Sequence, residues 1–317
     1  MRALELRDGS GLTATLVVDR ALDALELTYR GVPLTWCGPG GFAPAPSPPT
    51  TLDGFQRGFF GGLVTTCGLS AFGPAGSDAR GTWPQHGNIN YLSAESLGVW
   101  VHWDDAQPHI RVSGTVRESR MFGQTLRLER TWTMPIGRGE LVLHDRVTND
   151  GGQEEPHMIL YHCNVGYPLL DENTIWSVSH VDMIPRDDEA AKAIGAWNHG
   201  ARLDALFNEQ VFVHRPFADT GGWAHATATN PNLLGGVSLR IAYRPEQLPA
   251  LFTWRMLSYE TYVMAAEPAN RRTIAGRVQA QHDEHEVLWR GAVAIPGKRF
   301  RRSGASRRRF AGVADSL

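Results

Sequence analysis

The stretch TNDGGQEEPHMILYHCNVGYPLL, residues 148–170, decides the fold that the sequence predicts. It holds His157 and His162 within an otherwise apolar run and ends in a Gly/Pro break. A short apolar run bounded by turn residues indicates a buried strand. Side chains alternate along a strand, so His162 and Asn164 share one face and His157 points to the other. The two histidines are therefore poor joint ligands for a metal ion.

Strand patterns recur from one end of the chain to the other. Apolar and polar residues alternate in short runs, many of them bounded by Gly, Asp or Pro. The predicted strands cover residues 13–18, 25–29, 98–103, 109–116, 126–134, 140–148, 237–243, 250–257, 261–267 and 285–295. Only residues 187–197 and 202–207 favour helices. Many strands with few helices predict an all-β sandwich or barrel.

The composition is that of an ordinary globular protein. Of 317 residues, 42% are hydrophobic and 20% charged, and the net charge is −2. So small a charge favours neither nucleic acid nor an anionic membrane as a partner. No apolar run reaches membrane-spanning length, and the first residues lack an apolar leader, so we expect a cytoplasmic protein. Three cysteines, an odd number without close pairing, argue against a disulfide framework and a zinc site.

Two segments bear on domain organisation. Residues 38–51 are rich in Pro and Gly and predict a loop, which either links domains or walls a site within one domain. Strand patterns on both sides favour a single domain over residues 1–297. Residues 298–310 carry seven basic residues and no acidic one. We therefore expect residues 298–317 to form a basic, flexible tail.

The spacing of polar residues within 148–170 carries a resemblance. Thr148 and Asn149 open the stretch, Pro156 lies six residues before His162, and Asn164 follows. This order resembles the central segment of the aldose 1-epimerase (galactose mutarotase) superfamily. The resemblance implies a galactose mutarotase-like supersandwich, a large antiparallel β-sandwich. It also implies that His162 is the general acid that protonates a sugar ring oxygen.

Further motifs extend the resemblance over about 210 residues. They are GGLVTTCGL (61–69), HG (86–87), HMILYHCNVGYPLL (157–170) and EPAN (267–270). In this order they resemble an uncharacterised bacterial branch of the superfamily, described as aldose 1-epimerase-like. The resemblance implies that Glu267 is the general base that takes the proton of the anomeric hydroxyl. Its place after the apolar run YVMAA predicts partial burial, which would raise its pKa.

The sugar-binding residues are expected around QHGNIN, residues 85–90, and in the strand before Glu267. His86, Asn88 and Asn90 alternate, so a strand would present all three to one face. The superfamily has an Arg after the His-Gly pair, where this chain has Asn88, which leaves the substrate open. Either Trp254 or Arg255 could contact the sugar. The predicted binding residues are His86, Asn88, Asn90, Asn164, Trp254 and Arg255.

Three functions compete on these residues. The first is an enzyme that interconverts anomers of a free sugar or sugar derivative by ring opening and reclosure, with no metal or organic cofactor. The second is another sugar isomerase, epimerase or lyase, and Arg255 or Arg271 facing the pocket would favour an acidic sugar. The third is a non-catalytic sugar-binding module, which a distant and exposed Glu267 would favour. A small-molecule carbohydrate is the expected partner, and the oligomeric state stays open, with a homodimer as one option.

Overall fold

The computed structural model describes residues 1–42, 54–79, 81–271 and 285–294. These residues form twenty β-strands and very few helices. The strands are β1 (Ala3–Arg7), β2 (Leu12–Val17), β3 (Asp23–Tyr29), β4 (Val32–Pro33), β5 (Thr65–Leu69), β6 (Gly76–Asp78), β7 (Gly81–Trp83), β8 (Glu95–His102), β9 (His109–Ser119), β10 (Thr125–Pro135), β11 (Glu140–Asn149), β12 (Met158–Val165), β13 (Ile175–Val178), β14 (His180–Pro185), β15 (Gln210–Pro216), β16 (Ala224–Asn230), β17 (Val237–Tyr243), β18 (Ala250–Leu257), β19 (Tyr262–Ala269) and β20 (His285–Ala294). The expected all-β architecture is confirmed.

The strands assemble into two large sheets and two small ones. The eight-stranded sheet has the order β13-β16-β17-β20-β11-β10-β9-β8, and the six-stranded sheet has the order β14-β15-β18-β19-β12-β5. Strands β1 to β4 form a third sheet, and β6 pairs with β7. Within the described part of the chain, the strand pairings of these sheets are antiparallel, for example β12 with β19 and β18 with β19. The topology positions β12, which carries His162, next to β19, which carries Glu267.

The alternation of apolar residues explains why the sheets pack on each other. In β10, Leu126, Leu128, Trp132 and Met134 are buried together with Arg130 on the same face, and the residues that alternate with them are half-buried. They belong to the main core, to which both large sheets and the four-stranded sheet contribute. Burying one face of each sheet is the main stabilising contribution in such a sandwich.

Strand β12 is buried on both faces. Ile159, Tyr161 and Cys163 join the main core, whereas Met158 and Leu160 join a second apolar cluster. That second cluster includes Phe55, Phe72, Val211 and Phe252. His162 has the same parity as Leu160, so it faces away from the main core, towards the second cluster.

Helices are short. Helix α1 covers Gly54–Gly58 and helix α2 covers Asp188–Lys192. Asp187 caps α2, because its carboxylate accepts a hydrogen bond from the backbone N–H of Ala190 at 2.9 Å. The helix predicted over 187–197 is thus confirmed only in its first part. The prediction for 202–207 is wrong, since this segment is irregular with one turn.

The structure does not test two further expectations, which concern domain organisation and the C-terminal tail. The proposed single domain over 1–297 stays a prediction, and the basic tail, 298–317, lies outside the described residues. No helix among the described residues has the length and apolar character needed to cross a bilayer.

Candidate active site

His162 and Glu267 meet on neighbouring strands. The β12–β19 register pairs Cys163 with Ala266 and Leu160 with Ala269, which places His162 opposite Glu267. The His162 Nε2 atom lies 3.2 Å from Glu267 Oε1, and the two side chains are 6% and 7% exposed. Directly opposite residues of an antiparallel pair are in contact, so the register alone brings the acid and base candidates together.

Burial shifts both groups towards their uncharged forms. It raises the pKa of Glu267 to about 8, with a further increase from the charge of Glu209 and an opposing effect from Arg186. It lowers the pKa of His162 to about 3, and the neighbouring His86 adds to this decrease. At neutral pH, Glu267 is therefore protonated and His162 is neutral. The 3.2 Å contact then joins a neutral carboxyl group and a neutral imidazole, and the proton resides on Glu267, the group that the sequence predicts to be the base.

Aromatic rings surround this pair. The ring centroids of Phe59 and Trp254 lie 4.9 Å and 5.2 Å from that of His162. Trp36 contacts both rings, at 5.7 Å from Phe59 and 6.5 Å from Trp254. Phe55 lies in helix α1 and Phe59 directly follows it, and the two rings stack on each other with centroids 4.8 Å apart. The apolar wall removes water from the pair and so maintains the shifted pKa values.

The pair lies in a cavity of about 710 Å³. This volume is within the usual range for pockets that hold a small organic molecule. The cavity is lined by apolar and aromatic residues with a few polar groups among them. The polar groups are Gln56, Gln85, His86, His162, Arg186, Glu209, Thr261 and Glu267. Pro39, from the loop predicted over 38–51, also lines the cavity.

His86 reaches the cavity from a turn. The QHGNIN segment forms a turn followed by a 3₁₀ helix, Ile89–Tyr91, so the strand that would have presented His86, Asn88 and Asn90 to one face is not formed. His86 has a φ of 59°, its N–H donates to Gly73 O, and its carbonyl accepts from the N–H of Gly68. Its ring packs against Phe55, with centroids 4.6 Å apart and the two planes tilted by 42°. Burial of this ring lowers its pKa to about 4.

Of the other predicted binding residues, one lines the cavity and four do not. Trp254 lines the cavity, but Asn88, Asn90, Asn164 and Arg255 are not among its lining residues. Asn164 is buried and donates to the carbonyls of Gly62 and His162. Arg255, the neighbour of Trp254, points to the opposite face of β18 and donates to Ala196 O. Successive side chains of a strand point to opposite faces of the sheet, so Trp254 and Arg255 could not both face the sugar.

Asn88 and Asn90 follow the turn that presents His86. Asn88 is half-buried, and its backbone N–H donates to Gly68 O at 3.1 Å. Asn90 is 1% exposed, and its carbonyl accepts from Arg20. Because the segment is not a strand, the alternation that grouped these two residues with His86 does not apply.

Several cavity residues escaped the sequence analysis. Trp36, Phe55 and Phe59 come from segments to which the sequence analysis assigned no element, although two Phe residues four apart indicate one face of a helix. Arg186 and Glu209 flank α2 and its following segment, and no motif marks them. Their guanidinium and carboxylate groups contact each other at 2.8 Å.

Potential metal ligands do not cluster in the cavity. Among the described residues, the one group of three that lies close enough is His102, Asp105 and His109, at the β8–β9 hairpin. None of these three lines the cavity.

Comparisons with known proteins agree with this architecture. A family model described as a domain of unknown function (DUF4432) matches residues 1–294. No curated protein matches the chain significantly.

Solved structures are similar over nearly the whole chain. A proposed aldose 1-epimerase from Klebsiella pneumoniae is 23% identical, with a TM-score of 0.83 over 92% of this chain and 79% of that one. A galactose mutarotase-like protein from Clostridium acetobutylicum is 13% identical, with a TM-score of 0.61 over 92% and 95%. An aldose epimerase homologue from C. elegans is 14% identical, with a TM-score of 0.59 over 93% and 99%. The fold is therefore the galactose mutarotase-like β-sandwich, as the sequence resemblance implied.

Proposed function

The chain belongs to the family described as a domain of unknown function (DUF4432), and on that premise we propose that it is an enzyme acting at the anomeric carbon of a sugar. The observation that supports this proposal best is the contact of 3.2 Å between His162 Nε2 and Glu267 Oε1. A shared fold does not dictate a reaction. The proposal rests instead on two buried, proton-exchanging groups at an aromatic-walled cavity of sugar size.

The reaction needs two proton transfers and one bond cleavage. A base removes the proton of the O1 hydroxyl while an acid protonates the ring oxygen O5, and the C1–O5 bond breaks to leave an open-chain aldehyde. Rotation about C1–C2 and reclosure by the reverse transfers give the other anomer. Neither transfer needs a metal ion or an organic cofactor. Positioned acid–base pairs of this kind contribute about 10²–10⁴-fold each to a rate.

His162 and Glu267 together hold the one proton that this chemistry requires. In the free site the proton is on Glu267, so this carboxylic acid can donate and His162 Nε2 can accept. Transfer of the proton across the 3.2 Å contact yields the opposite arrangement, with His162 as acid and Glu267 as base. Ring opening and reclosure use the two arrangements in turn, because each step reverses the roles of the other.

The cavity wall suits a pyranose ring. The faces of Trp254, Phe59 and Trp36 can stack on the C–H groups of a sugar. His86 has a buried Nδ1 atom that receives no hydrogen bond from the protein. A sugar hydroxyl would satisfy this atom, and His86 remains our proposed contact for such a group.

The other two functions are less well supported. A binding module would not need the His162–Glu267 contact, which buries two titratable groups at a cost in stability. An isomerase, epimerase or lyase could use the same two groups at another carbon of the sugar.

The three free cysteines fit a reducing compartment such as the cytoplasm.

An NMR exchange assay tests the proposal. Purified protein is added to equilibrated aldoses, deoxy sugars and uronic acids, and saturation transfer between α- and β-anomer signals is measured. We expect faster exchange for at least one sugar. The variants Glu267→Gln and His162→Ala should each lower the rate about 100-fold or more.

Glu260→Gln provides the matched control, since Glu260 is an exposed residue in the turn before β19. It should exchange anomers at the wild-type rate. Binding of a sugar without any acceleration of exchange would contradict the proposed reaction. New sugar products in the same spectra would then identify an isomerase, epimerase or lyase instead.

A further inference from the structure

An ion pair lines the cavity beside the proposed acid–base pair. Arg186 follows β14 directly, and its Nη1 atom lies 2.8 Å from Glu209 Oε2. Glu209 in turn accepts a hydrogen bond of 2.9 Å from the Trp254 indole N–H. The three side chains thus form a connected polar wall, and all three line the cavity.

The backbone holds this wall in place. The N–H of Arg186 donates to Val211 O at 2.9 Å, which extends the β14–β15 pairing by one step. Glu209 directly precedes β15, which begins at Gln210. About a third of the Arg186 side chain and half of the Glu209 side chain are exposed (33% and 49%). Both groups can therefore contact a ligand without a rearrangement of the sheet.

The electrostatic balance of the wall leaves no surplus positive charge. Arg186 contacts a second carboxylate, since its Nε atom lies 2.7 Å from Asp187 Oδ2. The remaining ionisable groups of the cavity among the described residues, Glu267, His162 and His86, are uncharged at neutral pH. An anionic sugar that approached Arg186 would also meet the carboxylate of Glu209.

We propose, given the function proposed above, that Arg186 and Glu209 are the specificity-determining pair of this site. Arg186 donates a hydrogen bond to the oxygen of one sugar hydroxyl, and Glu209 accepts a hydrogen bond from the neighbouring hydroxyl. Guanidinium and carboxylate groups supply fixed donors and acceptors for such a pair of hydroxyls. Glu209 also disfavours sugars that carry a carboxylate or phosphate.

The test measures sugar binding and anomer exchange separately. The probes are D-galactose, D-glucose, D-galacturonate and D-glucuronate, with Kd from calorimetry and KM and kcat from NMR exchange. Arg186→Gln and Arg186→Lys should raise Kd and KM for the neutral sugar about tenfold and leave kcat within about threefold. Glu209→Gln should shift the ratio of uronate to neutral-sugar affinity about fivefold or more in favour of the uronate.

The pH profile gives a readout that a purely structural role would not change. The charge of Glu209 raises the pKa of Glu267 and that of Arg186 lowers it. The alkaline limb of kcat/KM should therefore move down in Glu209→Gln and up in Arg186→Gln. The matched control is Arg215→Gln, which removes an ion pair of 2.7 Å with Asp182 on the same two strands, outside the cavity.

The outcomes separate the two proposals. Altered sugar affinity in the Arg186 and Glu209 variants, without anomer exchange by any protein, would support the pair and contradict the mutarotase reaction. Tighter binding of uronates than of neutral sugars by the wild-type protein would overturn the proposed pair. Unchanged sugar binding in the variants would also overturn the proposed pair, as would a wild-type protein that binds none of the four sugars.

Discussion

At the scale of single residues, the site depends on where protons reside. His162 and Glu267 are both ordinary titratable residues whose pKa values move in opposite directions for the same reason, which is loss of solvent. Charge on either group is unfavourable at this position unless the other carries the opposite charge. In the proposed reaction the pair therefore acts as one unit that holds a single proton.

The pH dependence of catalysis follows from these pKa values. Above a pH of about 8, Glu267 loses its proton and the pair has none to deliver to the sugar. Below a pH of about 3, His162 becomes protonated and the pair has no base. We expect kcat/KM for anomer exchange to form a plateau between these limits, with a fall as the pH rises through 8.

NMR exchange rates from pH 4 to pH 10, corrected for the uncatalysed reaction in each buffer, test this prediction. A rate that rises between pH 4 and pH 6 and then stays constant to pH 10 would contradict it. That profile belongs to a glutamate with an ordinary pKa that acts as the base from the start.

At the scale of elements, the site lies where β5, β12 and β19 adjoin. Strand β5 pairs with β12, and Gly68 of β5 bridges Gly87, the residue after His86. The backbone N–H of Leu69 donates to the buried carboxylate of Glu118, which fixes the end of β5. These contacts position the turn that carries His86 relative to His162.

Gly87 is the tightest position of this turn. It has a φ of +72°, and an added Cβ would lie 2.3 Å from Gly68 O and 2.4 Å from Ala71 O. Gly87→Ala should lower the free energy of unfolding by at least ~2 kcal/mol, since both the backbone conformation and the space disfavour it. It should also weaken sugar binding, because the turn must move and His86 moves with it.

Urea denaturation and calorimetric sugar binding measure these two effects. Gly76→Ala is the control, because an added Cβ there contacts nothing within 4 Å and the residue is exposed. Equal stability of the two variants would show that the turn yields without cost, contrary to the prediction.

At the scale of the whole molecule, one buried arginine joins the three main sheets. Arg130 of β10 has a fully buried side chain that binds Asp145 of β11 and Asp23 of β3. It also donates to Thr66 Oγ1 in β5 at 2.8 Å. Tyr161, the neighbour of His162 in β12, donates to Asp145 at 2.9 Å. The network thus connects the strand of the proposed acid–base pair to the opposite sheet.

Replacement of Arg130 should lower the free energy of unfolding substantially. Arg130→Met leaves Asp23 and Asp145 buried without their cation, which typically costs about 3–5 kcal/mol. Denaturant unfolding measures this loss. Arg117→Met removes an exposed arginine that pairs with Glu95 and Asp150, and it should cost less than about 1 kcal/mol. A similar small loss in both variants would mean that the buried network contributes little to stability.

Strand alternation, turn residues and the spacing around His162 determined the fold class, because these signals come from residues that are close together in the chain. The resemblance of the spaced motifs to the mutarotase superfamily implied His162 and Glu267, and with them His86 and Trp254. The strand expected for Asn88 and Asn90 does not form. The preceding His86 is held in a turn, because its N–H donates to Gly73 O and its carbonyl accepts from the Gly68 N–H.

The tertiary structure alone decided the rest. The β12–β19 register placed His162 against Glu267. Burial beside Phe59 and Trp254 raised the pKa of Glu267 and lowered that of His162. The same holds for Arg186 and Glu209, which lie 23 residues apart in the sequence and face one cavity. Register, burial and such pairings arise from contacts between distant segments, and local sequence patterns do not contain them.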